Sequence, residues 1–351
     1  MNTHMKKIVL FLAAATALLL SACVKPEAEP QEVEFLRINK VEVNIPGGGG
    51  EANVTVESNT SWTVKSNENW AAVNPTSGSG NGSFTIKVEA NPDTERDMAK
   101  ITVSTSSVSL EVRVNRAAGA KSGPDVTDCQ GNKYPTVYIG EKLWMAENLK
   151  ATKYSTNSER QGADLSISAS SKTKPYYAIT SDKNNWKIEH EVKLSDEQIG
   201  KLGILYNWAA AVGLEDGSTQ TSEFTSQRQG ICPDGWHIPT LTEWEEMMAQ
   251  IEYNDGYGKG TAGTHLKTTT GWYENTGTDS YKFGALPAGQ AEGVKVFKIG
   301  ELAIFQSATL YRGQSTTAVS VAQLRYNDPA LTCPGISTKN MALSVRCVKN
   351  Q

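Results

Sequence analysis

Cys232-Pro-Asp-Gly-Trp-His-Ile-Pro-Thr-Leu-Thr-Glu-Trp244 is the stretch that decides how the larger part of this 351-residue chain is built. Pro239 disfavours helix at Ile238, and Thr240 followed three residues later by Glu243 is a capping-box pattern. Trp244, Met247, Met248 and Ile251 then recur at i, i+3, i+4 and i+7, one face of an amphipathic helix. The spacing predicts a helix opening after Thr240, whose cap is worth about 1 kcal/mol. Near the chain's end, Ser344-Val-Arg-Cys347 answers this stretch and reads as part of a last strand over 342–348.

Outward from that helix the texture is mixed. Residues 136–139 are a short strand candidate, while 155–187 have no usable periodicity and read as a long surface loop or partly disordered. Leu202, Leu205, Trp208 and Ala209 give a short helical pattern within 195–212. Residues 117–124 are small, polar and proline-terminated, the composition of a linker. Before them, 35–116 alternate with period two, as in Phe84-Thr-Ile-Lys-Val88, and glycine, proline and asparagine punctuate the turns. Short strands at this spacing predict a sandwich of immunoglobulin size. Trp62 lies in an alternating run and is expected in its core. Trp70 sits near a turn, where it either packs or offers a face to a sugar.

The first residues speak to compartment. Lys6 and Lys7 precede an apolar run over 8–20, too short to span a bilayer comfortably. It ends in Leu20-Ser-Ala-Cys23, which resembles the bacterial lipobox, in which the cysteine is acylated and becomes the first residue. The alternative is an ordinary export peptide with an incidental cysteine. The acidic, proline-bearing stretch after Cys23 reads as an extended tether, and it resembles signals that send Bacteroidetes lipoproteins to the cell surface. Across the chain 34 basic and 38 acidic residues are interspersed, with no basic stripe for nucleic acid. Setting Cys23 aside leaves Cys129, Cys232, Cys333 and Cys347, two disulfides with three possible pairings in an exported chain.

Family resemblances sharpen this outline. Ser61-Trp-Thr-Val64, Trp70, Asn74-Pro-Thr-Ser-Gly-Ser-Gly80, Asn91 and Arg96 together resemble the BACON domain. That resemblance implies a β-sandwich with a proposed carbohydrate-binding or mucin-binding role. A second set runs from Asp128-Cys-Gln-Gly-Asn-Lys-Tyr134 through Leu143-Trp-Met-Ala-Glu-Asn-Leu149 and Gly203-Ile-Leu-Tyr-Asn-Trp208. It continues with the 232–244 stretch, Leu266-Lys267, Gly271-Trp272, Leu286-Pro-Ala-Gly289 and Ser344-Val-Arg-Cys347. This series resembles the Fibrobacter succinogenes major paralogous domain, which implies a secreted or surface domain linked to adhesion. It also implies a Cys232–Cys347 disulfide, leaving Cys129 and Cys333 to each other. The Trp236–Trp244 motif is similar to the helix start of formylglycine-generating-enzyme-type, C-type-lectin-like domains, a small mixed α+β core wrapped in long loops.

The expected layout is therefore multidomain. A signal over 1–22 and a tether over 23–34 precede an all-β immunoglobulin-like sandwich over 35–116. A linker over 117–124 then leads to an α+β, C-type-lectin-like domain with long loops over 125–351. Chemistry is less visible. His4, His190, His237 and His265 are scattered without zinc spacing, and the 128–132 stretch departs at Gln130 from the acid-rich version that the family resemblance implies, so it is a poor calcium loop. His237 beside Asp234 and Glu243 suits a structural hydrogen bond at the helix start better than a general base. No nucleophile elbow or phosphate loop appears. The expectation is a non-catalytic, cofactor-free surface lipoprotein, acylated at Cys23, that binds glycan or another extracellular polymer. Candidate contacts are Trp70, Trp272, Tyr273, Tyr311, Arg312, Tyr326 and Asp328. The alternative is a spacer or partner subunit among surface proteins.

Overall fold

The computed structural model describes residues 33–351 apart from 94, 168–169, 255–256 and 275. Cys23, the 1–22 signal and most of the 23–34 tether lie outside the described residues. Between 36 and 116 the alternating segments form two sheets. One runs Leu36–Ile38, Gly50–Ser58, Gly82–Val88, Ala71–Asn74 in spatial order; the other runs Glu42–Ile45, Ser109–Arg116, Asp97–Ser104, Ser61–Ser66, Ser77–Ser79. Neighbours are antiparallel except Glu42–Ile45, which lies parallel to Ser109–Arg116. Period-two alternation sends Val54, Val56, Phe84 and Ile86 from the first sheet, with Val64, Ile101, Val103 and Val112 from the second, into one core. Trp62 joins them, its indole N–H donating to the Gly80 carbonyl at 2.9 Å. Gly78 is required beneath that ring, because a Cβ there would fall 2.2 Å from Trp62.

The second half is built on two larger sheets. A five-stranded sheet runs Lys121–Thr127, Lys133–Ile139, Lys142–Met145, Val348–Lys349, Trp236–His237. A six-stranded sheet runs Tyr177–Ile179, Ile204–Tyr206, Leu343–Ser344, Leu302–Leu310, Ala318–Arg325, Thr332–Thr338. Among the described residues, short α-helices accompany them: α1 (Asp196–Lys201), α2 (Trp208–Ala211), α3 (Leu241–Ala249) and α4 (Ala262–Leu266). Helix α3 starts where the capping box requires: the Thr240 hydroxyl accepts from the Glu243 N–H, and the Glu243 carboxylate accepts from the Thr240 N–H. Its apolar stripe is buried at Trp244, Met247 and Ile251. Trp244 stacks on Phe305 at 5.4 Å and leans on Trp144 at 4.7 Å, joining the helix to both sheets.

Several expectations are corrected. Residues 117–124 are not a linker: Lys121–Thr127 is a strand paired with Lys133–Ile139, and Ala117 is buried. The small residues serve close approach instead, since a Cβ on Gly119 would meet the Asn91 carbonyl oxygen at 2.1 Å. The two halves touch directly, the Tyr257 hydroxyl lying 2.8 Å from the Gly47 nitrogen that donates to it, and Phe35–Gln351 is one compact unit. The helical pattern of 195–212 divides into α1 and α2, with strand Ile204–Tyr206 between them. Asn207 breaks the run by capping α2, its side chain accepting from the Ala210 N–H. The irregular 155–187 segment is tucked in, burying Leu165, Tyr176, Ala178 and Thr180. The last strand is likewise split into Leu343–Ser344 and Val348–Lys349, with Arg346 turned into the interior between them.

The Cys232–Cys347 disulfide is present, with Cα atoms 5.9 Å apart. Cys129 and Cys333 are both free, so their expected pairing is wrong. Cys129 sits exposed on the turn after Lys121–Thr127, its thiol directed to the Lys153 carbonyl. Cys333 lies in the edge strand of the other sheet, where burial pushes its thiol up to about 12.

Candidate functional site

Two of the candidate aromatics meet at one surface. Tyr273 and Tyr326 pack edge to face at 5.2 Å, and His190 stacks on Tyr273 at 4.2 Å. The turn at Gly300 and Glu301 positions all three. The Tyr273 N–H donates to the Gly300 carbonyl at 2.8 Å, and the Tyr326 N–H donates to the Glu301 carbonyl at 3.0 Å. Gly300 has φ 85°, and a Cβ there would fall 2.0 Å from Val192, two residues beyond His190. Glycine at this position therefore lets the 190–192 segment come close enough to complete the cluster.

Charged groups frame the rings. Lys298 bridges Glu189, next to His190, and Glu301, with the second contact at 3.2 Å. Its hydrogen bond to Glu189 raises the lysine and lowers that carboxyl, so the pair stays ionised. Below the rings, the buried Lys267 amine donates to the Thr276 hydroxyl at 2.8 Å and to the Arg325 and Asp328 carbonyls at 3.0 and 2.9 Å. Thr276 in turn donates to the Tyr326 carbonyl at 3.1 Å. Burial pushes the Lys267 amine down, but these three acceptors hold the loop that carries Tyr326. Tyr273 remains 41% exposed beside the stacked His190 ring.

The remaining candidates stand elsewhere. Trp272 is a correction: it is 3% exposed, and its indole N–H donates to the Ala285 carbonyl at 3.1 Å. Gly271, at φ 95°, turns the chain so that Trp272 enters the core and Tyr273 leaves it. Asp328 caps its own turn, accepting from the Ala330 N–H at 2.9 Å. Tyr311 and Arg312 occupy the turn between Leu302–Leu310 and Ala318–Arg325. Tyr326 follows the far end of that hairpin, about 25 Å away at the rise of an extended strand. Trp70 lies in the first half, half-buried beneath the Arg116 guanidinium at 4.0 Å. Asp97 holds that guanidinium with two hydrogen bonds, so Trp70 is a packing element there.

His237 is part of the helix start. It is buried, with Nε2 3.1 Å from both Glu243 carboxylate oxygens and Nδ1 2.8 Å from Asn350. Burial opposes ionisation of Glu243, but hydrogen bonds from His237 and the Thr240 N–H, with Lys142 alongside, hold its carboxyl down at about 2. Asp128 is consumed by its turn, accepting from the Gln130 and Asn132 N–H groups and from the Tyr134 hydroxyl. Among the described residues no cluster of histidine, cysteine and carboxylate side chains could hold a metal ion. His190 is the ring that the sequence did not single out, because nothing near it in the chain marks it as a partner of Tyr273.

Comparison with known proteins fits this division of the chain. The family model described as Fibrobacter succinogenes major domain matches residues 137–349, and the one described as Viral BACON domain matches 35–118. No curated protein matches. Among solved structures, a Bacteroides ovatus GH5 xyloglucanase in complex with a XXXG heptasaccharide is 20% identical over 27% of this chain, with a TM-score of 0.24. The match spans 21% of that enzyme's chain. The S-layer protein rSbsC is 17% identical over 36% of this chain and 20% of its own, with a TM-score of 0.21.

Proposed function

The chain belongs to the Fibrobacter succinogenes major domain family, and from that premise we propose that it is a non-catalytic, surface-displayed binder of glycan or another extracellular polymer. The observation that carries this reading is the convergence of Tyr273, Tyr326 and His190 at the surface. An exposed aromatic face stacks on the apolar side of a sugar ring, and the framing Glu189, Lys298 and Glu301 supply hydrogen-bonding groups around it. The C-terminal half is read in addition as a C-type-lectin-like arrangement, a small mixed core that carries its binding residues on long loops.

A glycan array probed with the full chain tests the reading. Wild type is expected to bind a defined set of glycans, and Tyr273→Ala to lose that binding more than tenfold, about 1.4 kcal/mol. Its melting temperature should fall by only a few degrees, because Tyr273 is 41% exposed and packs on surface rings outside the core. A silent array, with an envelope protein co-purifying instead, would support the second reading: a spacer or partner subunit. The direct contact between the halves, through Gly47 and Tyr257, favours that second reading over a freely jointed pair.

Attachment is proposed to occur through acyl chains on Cys23, at the outer membrane and facing the exterior. Each buried methylene contributes about 0.8 kcal/mol, so several chains hold firmly where one does not. Cys23→Ser is expected to move the protein from the membrane fraction to the soluble fraction. Mass spectrometry of the wild-type protein should find an acylated cysteine at its amino terminus; an unmodified thiol there would remove the anchor.

A further inference from the structure

A cavity of about 730 Å³ opens beside the Lys121–Thr127 strand, between α1 and the loop that follows α4. Its size falls within the ordinary range for small-ligand sites, and its lining is rich in hydroxyls, with four carboxylates against two lysines. Val137, Ala146 and Leu286 offer an apolar surface, while Thr136, Ser195, Thr268, Thr269 and Thr270 contribute hydroxyls. Lys201 lies 2.8 Å from Glu197 and 3.7 Å from Glu147. Asp279 is faced by Lys282 from its own turn and by the buried Arg346 from the chain's last segment. Asp125 stands at the exposed edge of the lining. Such a lining disfavours an anion, and it presents many donors and acceptors over an apolar floor. A neutral polyhydroxylated ligand has the matching chemistry.

The backbone at this site is held in a costly conformation. Asp279 and Lys282 have φ 46° and 53°, left-handed values uncommon outside glycine. They are fixed by the Asp279 carboxylate accepting from the Gly284 N–H at 2.8 Å and by the Asp279 carbonyl accepting from the Lys282 N–H at 2.8 Å. Strain of this kind tends to collect at functional sites. Burial, partly offset by the Gly284 and Phe283 N–H groups and by Arg346 and Lys282, pushes the Asp279 carboxyl up to about 6.

The cavity and the ring cluster are carried by neighbouring residues of one loop. Thr270 lines the one and Tyr273 belongs to the other, and a span of three residues separates their Cα atoms by at most about 11 Å. We propose that the cavity and the ring cluster are two parts of one site for a linear, neutral oligosaccharide, which stacks on Tyr273 and Tyr326 and continues into the cavity. The proposal rests on the glycan-binding reading and adds to it the charge class, the shape and the second set of contacts.

Titration calorimetry of the full chain with neutral gluco-, xylo- and manno-oligosaccharides of increasing length tests this, with oligogalacturonides as the anionic comparison. Affinity for the series that binds should rise with length by roughly tenfold before levelling off, and the oligogalacturonides should bind more weakly. Thr269→Trp fills the mouth from an exposed position and should abolish the gain with length while leaving the short members bound. Asp279→Asn keeps an acceptor and suits the left-handed backbone, and should weaken only the long members. Binding that needs Tyr273 but ignores length and Thr269→Trp would overturn the proposal and leave the glycan-binding reading standing. If no neutral series binds, both fall; if the oligogalacturonides bind best, the charge argument fails and the proposal with it.

Discussion

Replacing Arg346 with methionine is expected to destabilise the fold by about 4 kcal/mol or more. The guanidinium is 1% exposed, and every direction around it is used. It donates to Asn148 Oδ1 at 2.6 Å, to the Met145 carbonyl at 3.2 Å, to the Gly284 carbonyl at 2.8 Å and to the Phe283 carbonyl. Its plane lies 4.5 Å from the Phe283 ring and 5.6 Å from Phe305. Burial lowers its pKa to about 9 against the pull of Glu147 and Asp279, which still leaves it charged at pH 7. Methionine keeps much of the volume, so the loss isolates four stranded acceptors, each costing about 1–3 kcal/mol when left dry. Urea unfolding reads the effect as a lower midpoint at constant slope. A shift worth less than about 1 kcal/mol would mean that the acceptors find water, and that the buried network does not hold this segment.

The second large effect concerns the Cys232–Cys347 bridge, whose cysteines are 115 residues apart. Closing so long a loop removes unfolded-state entropy worth roughly 4–5 kcal/mol in the chain-entropy model. The bridge acts where Trp236–His237 pairs with Val348–Lys349, two strands too short to hold each other unaided. Changing both cysteines to alanine should lower the melting temperature by about 10 °C or more. Both sulfurs are fully buried, so part of that loss is packing. Reducing the wild-type bridge while its thiols remain inside separates the two contributions. If neither treatment moves the melting temperature, the cross-link is dispensable to the fold.

Much of the architecture was legible because its signals were local. The capping box of Thr240 and Glu243 and the stripe of Trp244, Met247 and Ile251 fix α3 within twelve residues of chain. Alternation likewise reveals the strands around 52–56, 62–64, 84–88, 101–103 and 108–114, whereas Ser77–Ser79, a short edge strand, reads as a turn. The errors arose where distant groups decide. Trp272 sits among glycine, tyrosine and glutamate and reads as a loop aromatic, yet the Ala285 carbonyl draws it inside. The small residues of 117–120 look like slack, although the reason for their size lies at Asn91 and Gly47, far off in sequence. Parity of the cysteines suggested a second bridge, but Cys129 lies on an exposed turn beside one sheet and Cys333 in the edge strand of the other. Tyr273 and Tyr326 were recognised singly, and their meeting depends on the turn at Gly300. Asp279 offers no motif at all, since its character comes from burial beside Arg346.

The junction at Gly47, Gly119 and Tyr257 has a mechanical consequence. With the chain passing from Ala117 into the Lys121 strand after only three residues, there is no hinge to absorb a pull. Bending there would have to break the Tyr257 hydrogen bond and pull Gly119 away from Asn91, so the two halves resist a pull at their seam.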